Sequence, residues 1–181
     1  LMLNSEVAPG SGLGASSSLA VNLIKTISTL KKEKMSNAEI AESAYDIGRN
    51  KLNWTIGKQD EYISAFGGFN FIKFNNDKVT VNKISINKNS LLELEKNLLL
   101  FYIGKTRNSS NILQDQINQI EENNQETINA LHYVKELSEK MYSSLSQSDI
   151  TEFGQLLNIG WESKKKFTKD VTNEYVDKLY N

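Results

Sequence analysis

Residues 8–19 read Ala8-Pro9-Gly10-Ser11-Gly12-Leu13-Gly14-Ala15-Ser16-Ser17-Ser18-Leu19. Before them, Leu1 and Leu3 stand among polar Asn4 and Glu6, the alternation of a strand over residues 1 to 8. After them, Leu19, Leu23, Ile24, Ile27 and Leu30 fall on one stripe of a helix over Ala15 to Lys32, a stripe expected to pack into a core. Glycines between a strand and a helix let the backbone take positive φ and come close to a ligand. The helix that follows aims free N–H groups and the positive end of its dipole at the loop. Serine hydroxyls at its start can bond phosphate oxygens or ligate Mg²⁺. The stretch reads in two ways, as a phosphate cradle or as a tight connection capped by serine. Three consecutive serines opening an apolar helix favour the cradle, because serine is a mediocre helix former. No Gly-Lys-Ser/Thr closes the loop, so it is not a Walker A motif, and it lacks the dinucleotide fingerprint.

Downstream, Ser36 followed by Glu39 is a capping box that predicts a second helix to about Leu52. The pattern breaks over 53–60, and a short helix is expected over 59–66. Gly67-Gly68 turns the chain into the β-rich run Phe69 to Phe74, Asn75-Asn76-Asp77 marks a hairpin, and Val79 to Ile86 is the return strand. The polar stretch Asn87 to Ser90 predicts a boundary between an N-terminal part, 1–88, and a C-terminal part, 89–181. Leu98 to Ile103 is an apolar run short enough for a buried strand. From Asn108 the pattern is helical to the end, with Ile128, Leu131, Val134, Met141 and Leu145 on one stripe and a polar linker at 121–126. Phe153, Leu156, Leu157 and Trp161 form another stripe after an Asp149/Glu152 cap, and a last helix begins near Thr172.

Composition removes several classes of chemistry. The chain of 181 residues, 20.4 kDa, is long enough for one large domain or two small ones. A net charge of −1 and a pI near 6.0 leave no basic field for nucleic acid or a membrane surface. Without cysteine there is no thiol nucleophile, zinc–thiolate site or disulfide frame. One histidine, His132, argues against a multi-histidine metal site and a Ser-His-Asp triad. No apolar run reaches the roughly 18–20 residues of a membrane span.

The segment Pro9-Gly10-Ser11-Gly12-Leu13-Gly14-Ala15-Ser16-Ser17 closely resembles the nucleotide-phosphate motif of the GHMP kinases, with Ala15 where the first serine of that motif usually stands. Three further stretches resemble the branch of that family that phosphorylates D-glycero-D-manno-heptose 7-phosphate. They are Gly57-Lys58-Gln59-Asp60-Glu61-Tyr62 with Ala65 to Phe71, Leu98 to Arg107, and Glu152 to Leu157 with Trp161 to Lys165. The resemblance runs through nearly the whole chain in the right order. It implies the two-part α/β (α+β) GHMP kinase fold, incomplete at both ends, because the substrate-binding strand would precede Leu1 and a third glycine-rich motif would follow Asn181. It also implies a cytoplasmic, ATP- and Mg²⁺-dependent kinase acting on the anomeric hydroxyl of a heptose phosphate. Other readings are a kinase for fucose or galactose, a noncatalytic nucleotide- or sugar-binding relative, or a piece with no activity of its own.

The resemblance also distributes roles. Pro9, Gly10, Ser11, Gly12, Leu13, Gly14, Ala15, Ser16, Ser17 and Ser18 would surround the nucleotide phosphates. Asp60 would orient the acceptor hydroxyl and take its proton, unless it merely caps the 59–66 helix. Lys58 would tune Asp60 or meet the sugar phosphate, or lie solvated. Arg107, one of two arginines, would either bind phosphate or close a surface salt bridge. Ser16, and second Ser17, would ligate Mg²⁺. The second ligand of the family is a glutamate, whose place here is taken by Gly48; Asp46, or phosphate and water, would have to replace it.

Overall fold

A computed structural model describes residues 11–76, 78–103 and 109–181. The strand expected over 1–8, Pro9, Gly10 and Arg107 lie outside the described residues. The chain forms two units that meet in sequence between Val81 and Asn82.

The first unit is built on three helices. Helix α1 (Ala15–Leu30) starts from Gly14, whose φ of 69° and ψ of 23° place it in the left-handed region. Helix α2 (Asn37–Asp46) starts from the expected capping box: the Ser36 N–H donates to Glu39 Oε2 at 2.7 Å, and the Glu39 N–H donates to Ser36 Oγ at 3.3 Å. It runs on into one π turn, Ile47–Lys51, so helical backbone ends one residue before the expected Leu52. Helix α3 (Gln59–Phe66) matches its expected bounds, and α1, α2 and α3 all pack on one another. Val21, Ile40 and Ala44 form their core, with Ala20, Ile24, Met35 and Ala65 around it.

That core corrects part of the expected stripe of α1, of which Ile24 does pack against it. The buried positions are Ser17, Val21 and Ser28, whereas Leu19, Ile27 and Leu30 are exposed. Small side chains let α2 and α3 approach α1 on this side, and close packing rewards that fit over bulk.

Gly67 and Gly68, with φ of 63° and 77°, turn the chain out of α3. The hairpin of β1 (Asn70–Asn75) and β2 (Lys78–Lys83) follows, its return strand shorter than expected. Tyr62 of α3 stands edge-on to Phe74 of β1 at 5.6 Å and stacks on Phe66 at 5.9 Å.

The second unit is helical among its described residues: α4 (Lys88–Asn97), α5 (Ser109–Glu121, which begins in the first unit), α6 (Gln125–Ser146), α7 (Ile150–Lys164), a 3₁₀ turn at Lys169–Val171, and α8 (Glu174–Tyr180). Helices α6 and α7 pack along each other. Ala130, Phe167 and Val171 form a core bordered by Ile112, Leu131, Val134 and Trp161. The buried Thr127 hydroxyl donates to the Phe167 carbonyl at 3.2 Å and fixes the chain leaving α7. Asp149 caps α7 as expected, accepting from the Glu152 N–H at 2.8 Å.

Two readings of this region change. The polar stretch Asn87 to Ser90 opens a helix: Asn87 Oδ1 accepts from the Ser90 N–H at 2.9 Å, the N-cap of α4. Leu98 to Ile103 is not a buried strand, and Leu98 to Tyr102 are exposed. A strand needs a neighbour for its ladder, and no described residue pairs with this run. Among the described residues no helix is long and apolar enough to cross a membrane.

Candidate phosphate loop and its facing helix

The described part of the loop has the backbone its glycines predict. Gly12 and Gly14 have φ of 76° and 69°. The first intrahelical bond of α1 runs from the Ser18 N–H to the Gly14 carbonyl at 2.9 Å, so the amides of Ala15, Ser16 and Ser17 precede the helical ladder. No side chain caps this end. These amides give the start of α1 the donors and positive field of an anion site.

Helix α3 lies against this end at three successive points. A β-carbon on Gly14 would stand 3.6 Å from Asp60 Oδ2, which is ordinary contact, so the Asp60 carboxylate sits directly over the glycine. Ser17 Oγ donates to Glu61 Oε1 at 2.9 Å. The hydroxyls of Ser18 and Ser64 are 3.2 Å apart. The fold thus brings the loop and Asp60 together across more than forty residues of sequence. Asp60 is in the first turn of α3 and exposed; the N-cap position belongs to Lys58, so Asp60 is not the cap.

The serines are not equivalent. Ser16 is exposed, while Ser17 is buried and bonded to Glu61. Ser11 Oγ is buried with no hydrogen-bond partner among the described residues. Lys58, half-buried, is paired with Glu42: its ammonium donates to both carboxylate oxygens, at 2.9 and 2.8 Å, and lies 4.9 Å from the centre of the Tyr45 ring. Tyr62 OH donates to the same carboxylate at 2.6 Å. Burial pushes the Glu42 carboxyl up, but the bonds from Lys58 and Tyr62 outweigh it and hold the group below the usual carboxylate range. Burial, then the bond to Glu42, pushes the Tyr62 phenol up.

Glycine at position 48 offers no side-chain ligand. Gly48 is buried in the π turn, and a β-carbon there would stand 2.5 Å from Ile56 Cδ1. Asp46 is exposed and accepts from Asn50 Nδ2 at 2.7 Å. Among the described residues no three acidic or histidine side chains cluster as a metal site.

Sequence reasoning missed Glu61, Glu42 and Ser64. A usable signal was helical register: Glu61 is four residues before Ala65, which packs on the α1–α2 core, so the two share the inward face of α3.

A glycine loop opening a helix, with a carboxylate-bearing helix laid over it, is an arrangement suited to holding an anion at the helix start. Residues 1–68 match the family model of the GHMP kinases N terminal domain. The D-glycero-alpha-D-manno-heptose 7-phosphate kinase of Campylobacter jejuni is 34% identical over 177 residues, which are 97% of this chain and 52% of that protein. The bifunctional fucokinase/GDP-fucose pyrophosphorylase of Arabidopsis thaliana is 24% identical over 181 residues, covering 97% of this chain and 17% of that protein. The crystal structure of a D-glycero-D-manno-heptose 1-phosphate kinase from Bacteroides thetaiotaomicron superposes with a TM-score of 0.71 at 32% identity, over 90% of this chain and 47% of that one. The chain therefore spans about half the length of the heptose kinases it matches. The fold is accordingly a part of the α/β GHMP kinase fold, mostly helical with one hairpin among the described residues.

Proposed function

We propose that the protein transfers the terminal phosphoryl group of ATP to the anomeric hydroxyl of D-glycero-D-manno-heptose 7-phosphate. The observation that carries this reading is the Asp60 carboxylate seated over Gly14, at the start of α1. Phosphoryl transfer asks a protein mainly for positioning and for charge stabilisation. Residues 9–18 hold the phosphates: the amides at the start of α1 donate to their oxygens, and Gly12 and Gly14 let the backbone come close. Asp60 orients the acceptor hydroxyl beside that loop and accepts its proton as the new O–P bond forms. Lys58 anchors the start of α3 through Glu42, which fixes where Asp60 stands, and Arg107 supplies a fixed cation to the sugar phosphate.

Mg²⁺, when bound, neutralises charge on the transferring phosphate. The residues fit such a cation at the buried Ser17 hydroxyl, beside an unpartnered carboxylate oxygen of Glu61, and not at position 48.

Asp60→Asn decides the reading. In a coupled assay with ATP and the heptose 7-phosphate, turnover is expected to fall by roughly 10²–10⁴, the scale of a general base, with ATP affinity unchanged. Turnover equal to wild type removes Asp60 from the reaction. Fucose and galactose serve as competing acceptors, and a preference for either reassigns the sugar.

A further inference from the structure

Helix α3 carries a second carboxylate, Glu61, next to Asp60. Glu61 is 4% exposed. Its Oε1 accepts from Ser17, and its Oε2 is buried with no hydrogen-bond partner among the described residues. A buried carboxylate oxygen left unpaired is costly, and native structures resolve such groups with a partner, a water or an ion. Tying α3 to α1 needs a single acceptor, so the Ser17 bond does not account for the second oxygen.

Ser17 spends its only proton on Glu61, and its oxygen lone pairs stay available. Ser17 Oγ and Glu61 Oε2 are then two hard oxygen donors with unspent electron pairs, in the first turns of α1 and α3. Hard divalent cations such as Mg²⁺ bind through one or two carboxylates together with substrate phosphates. The other nearby acids are engaged elsewhere. Glu42 is held by Lys58 and Tyr62, Asp46 is exposed and bonded to Asn50, and Asp60 faces Gly14. Position 48 is a glycine and supplies no side-chain oxygen.

We propose that Glu61, with Ser17, forms the divalent-cation site that serves the phosphates of the loop, replacing the carboxylate that position 48 lacks. The site rests on the nucleotide reading given under Proposed function.

Isothermal titration calorimetry with a non-hydrolysable imido analogue of ATP, with and without Mg²⁺, tests it on the chain. Wild type is expected to bind the analogue at least about tenfold more tightly with Mg²⁺, the lower end of what groups supporting a metal contribute. Glu61→Gln keeps an acceptor for Ser17, so it should retain the metal-free affinity and the melting temperature but lose the gain from Mg²⁺. Ser17→Ala removes the hydroxyl and leaves Glu61 in place; it should also lose the gain, and it decides the matter if Glu61→Gln does not fold. A full Mg²⁺ gain in these variants, or no gain in wild type, overturns the cation site alone. Failure of wild type to bind the analogue under either condition overturns the nucleotide reading and the site with it.

Discussion

At the scale of single residues, Glu42 shows how a carboxylate with no place in the chemistry still shapes the site. It gathers the Lys58 ammonium and the Tyr62 hydroxyl, and so fixes two residues that flank Asp60 and Glu61. Its pKa is lowered in the folded chain, so it contributes stability above the ordinary Glu range and loses it as pH falls through the lowered value. Both partners are partly solvated, which limits the pair to about 1 kcal/mol, the upper end for exposed ion pairs. Glu42→Gln is therefore expected to unfold more easily at neutral pH by about that amount. The gap to wild type should close below about pH 4.3, where a free Glu protonates. Urea melts at neutral and acid pH check this, and a pH-independent gap would disconnect the ion pair from stability. Asp60 was legible in the sequence because it stands in a recognisable string. Glu42 and Glu61 were not, because a carboxylate's neighbours are set by three helices meeting, and one acid among many on a helix carries no local mark.

At the scale of elements, three helices end the same way. After α1, α5 and α6 the chain takes one left-handed residue, Lys32, Asn123 and Ser148, with φ of 58°, 57° and 63°. In each case the next N–H reaches back six residues in all: Glu33 to the Ser28 carbonyl, Asn124 to Gln119, and Asp149 to Ser144, at 2.9, 2.9 and 2.8 Å. Asn124 and Asp149 then cap the following helix, so one residue closes one helix and opens the next. Glycine is the usual choice at the left-handed position because a β-carbon costs roughly 1–2 kcal/mol there. Lys32→Gly is expected to raise stability by about 1 kcal/mol, and Asn123→Gly by less, since asparagine already tolerates this conformation. Equal and negligible gains in chemical denaturation would show that neither position is strained. The helix starts at Ser36 and Asp149 were legible in the sequence, whereas Asn87 and Asn124, whose side chains also cap, stood in polar stretches read as a boundary and a linker. The stop after α1 was placed two residues late because lysine does not announce a left-handed turn. The inward face of α1 was misread because large apolar residues suggested a core, while the neighbouring helices pack on serine, alanine and valine.

At the scale of the whole molecule, the largest departure from the sequence reading is the run Leu98 to Tyr102. Apolarity and short length made it a buried strand, yet all five residues are exposed, Leu99 by 77% and Leu100 by 85%. Apolarity and length together say that such a run is built for burial, but they do not say what buries it; that depends on a partner strand far along the chain or outside it. A contiguous apolar stretch of this kind is uncommon on soluble chains and is prone to association. Its backbone, unpaired among the described residues, adds a row of donors and acceptors that a second chain can satisfy. The chain of 181 residues is therefore expected to self-associate with rising concentration, and sedimentation velocity should show mass beyond 20.4 kDa. Leu99→Lys with Leu100→Lys places two charges in the run and should return the chain to a monomer. Thermal stability should hardly move, because exposed positions away from caps and cores change it by only about 0.5 kcal/mol. Association undiminished by the two lysines would mean that another surface carries it. The exposed Leu19, Ile27 and Leu30 of α1 are then the next to replace.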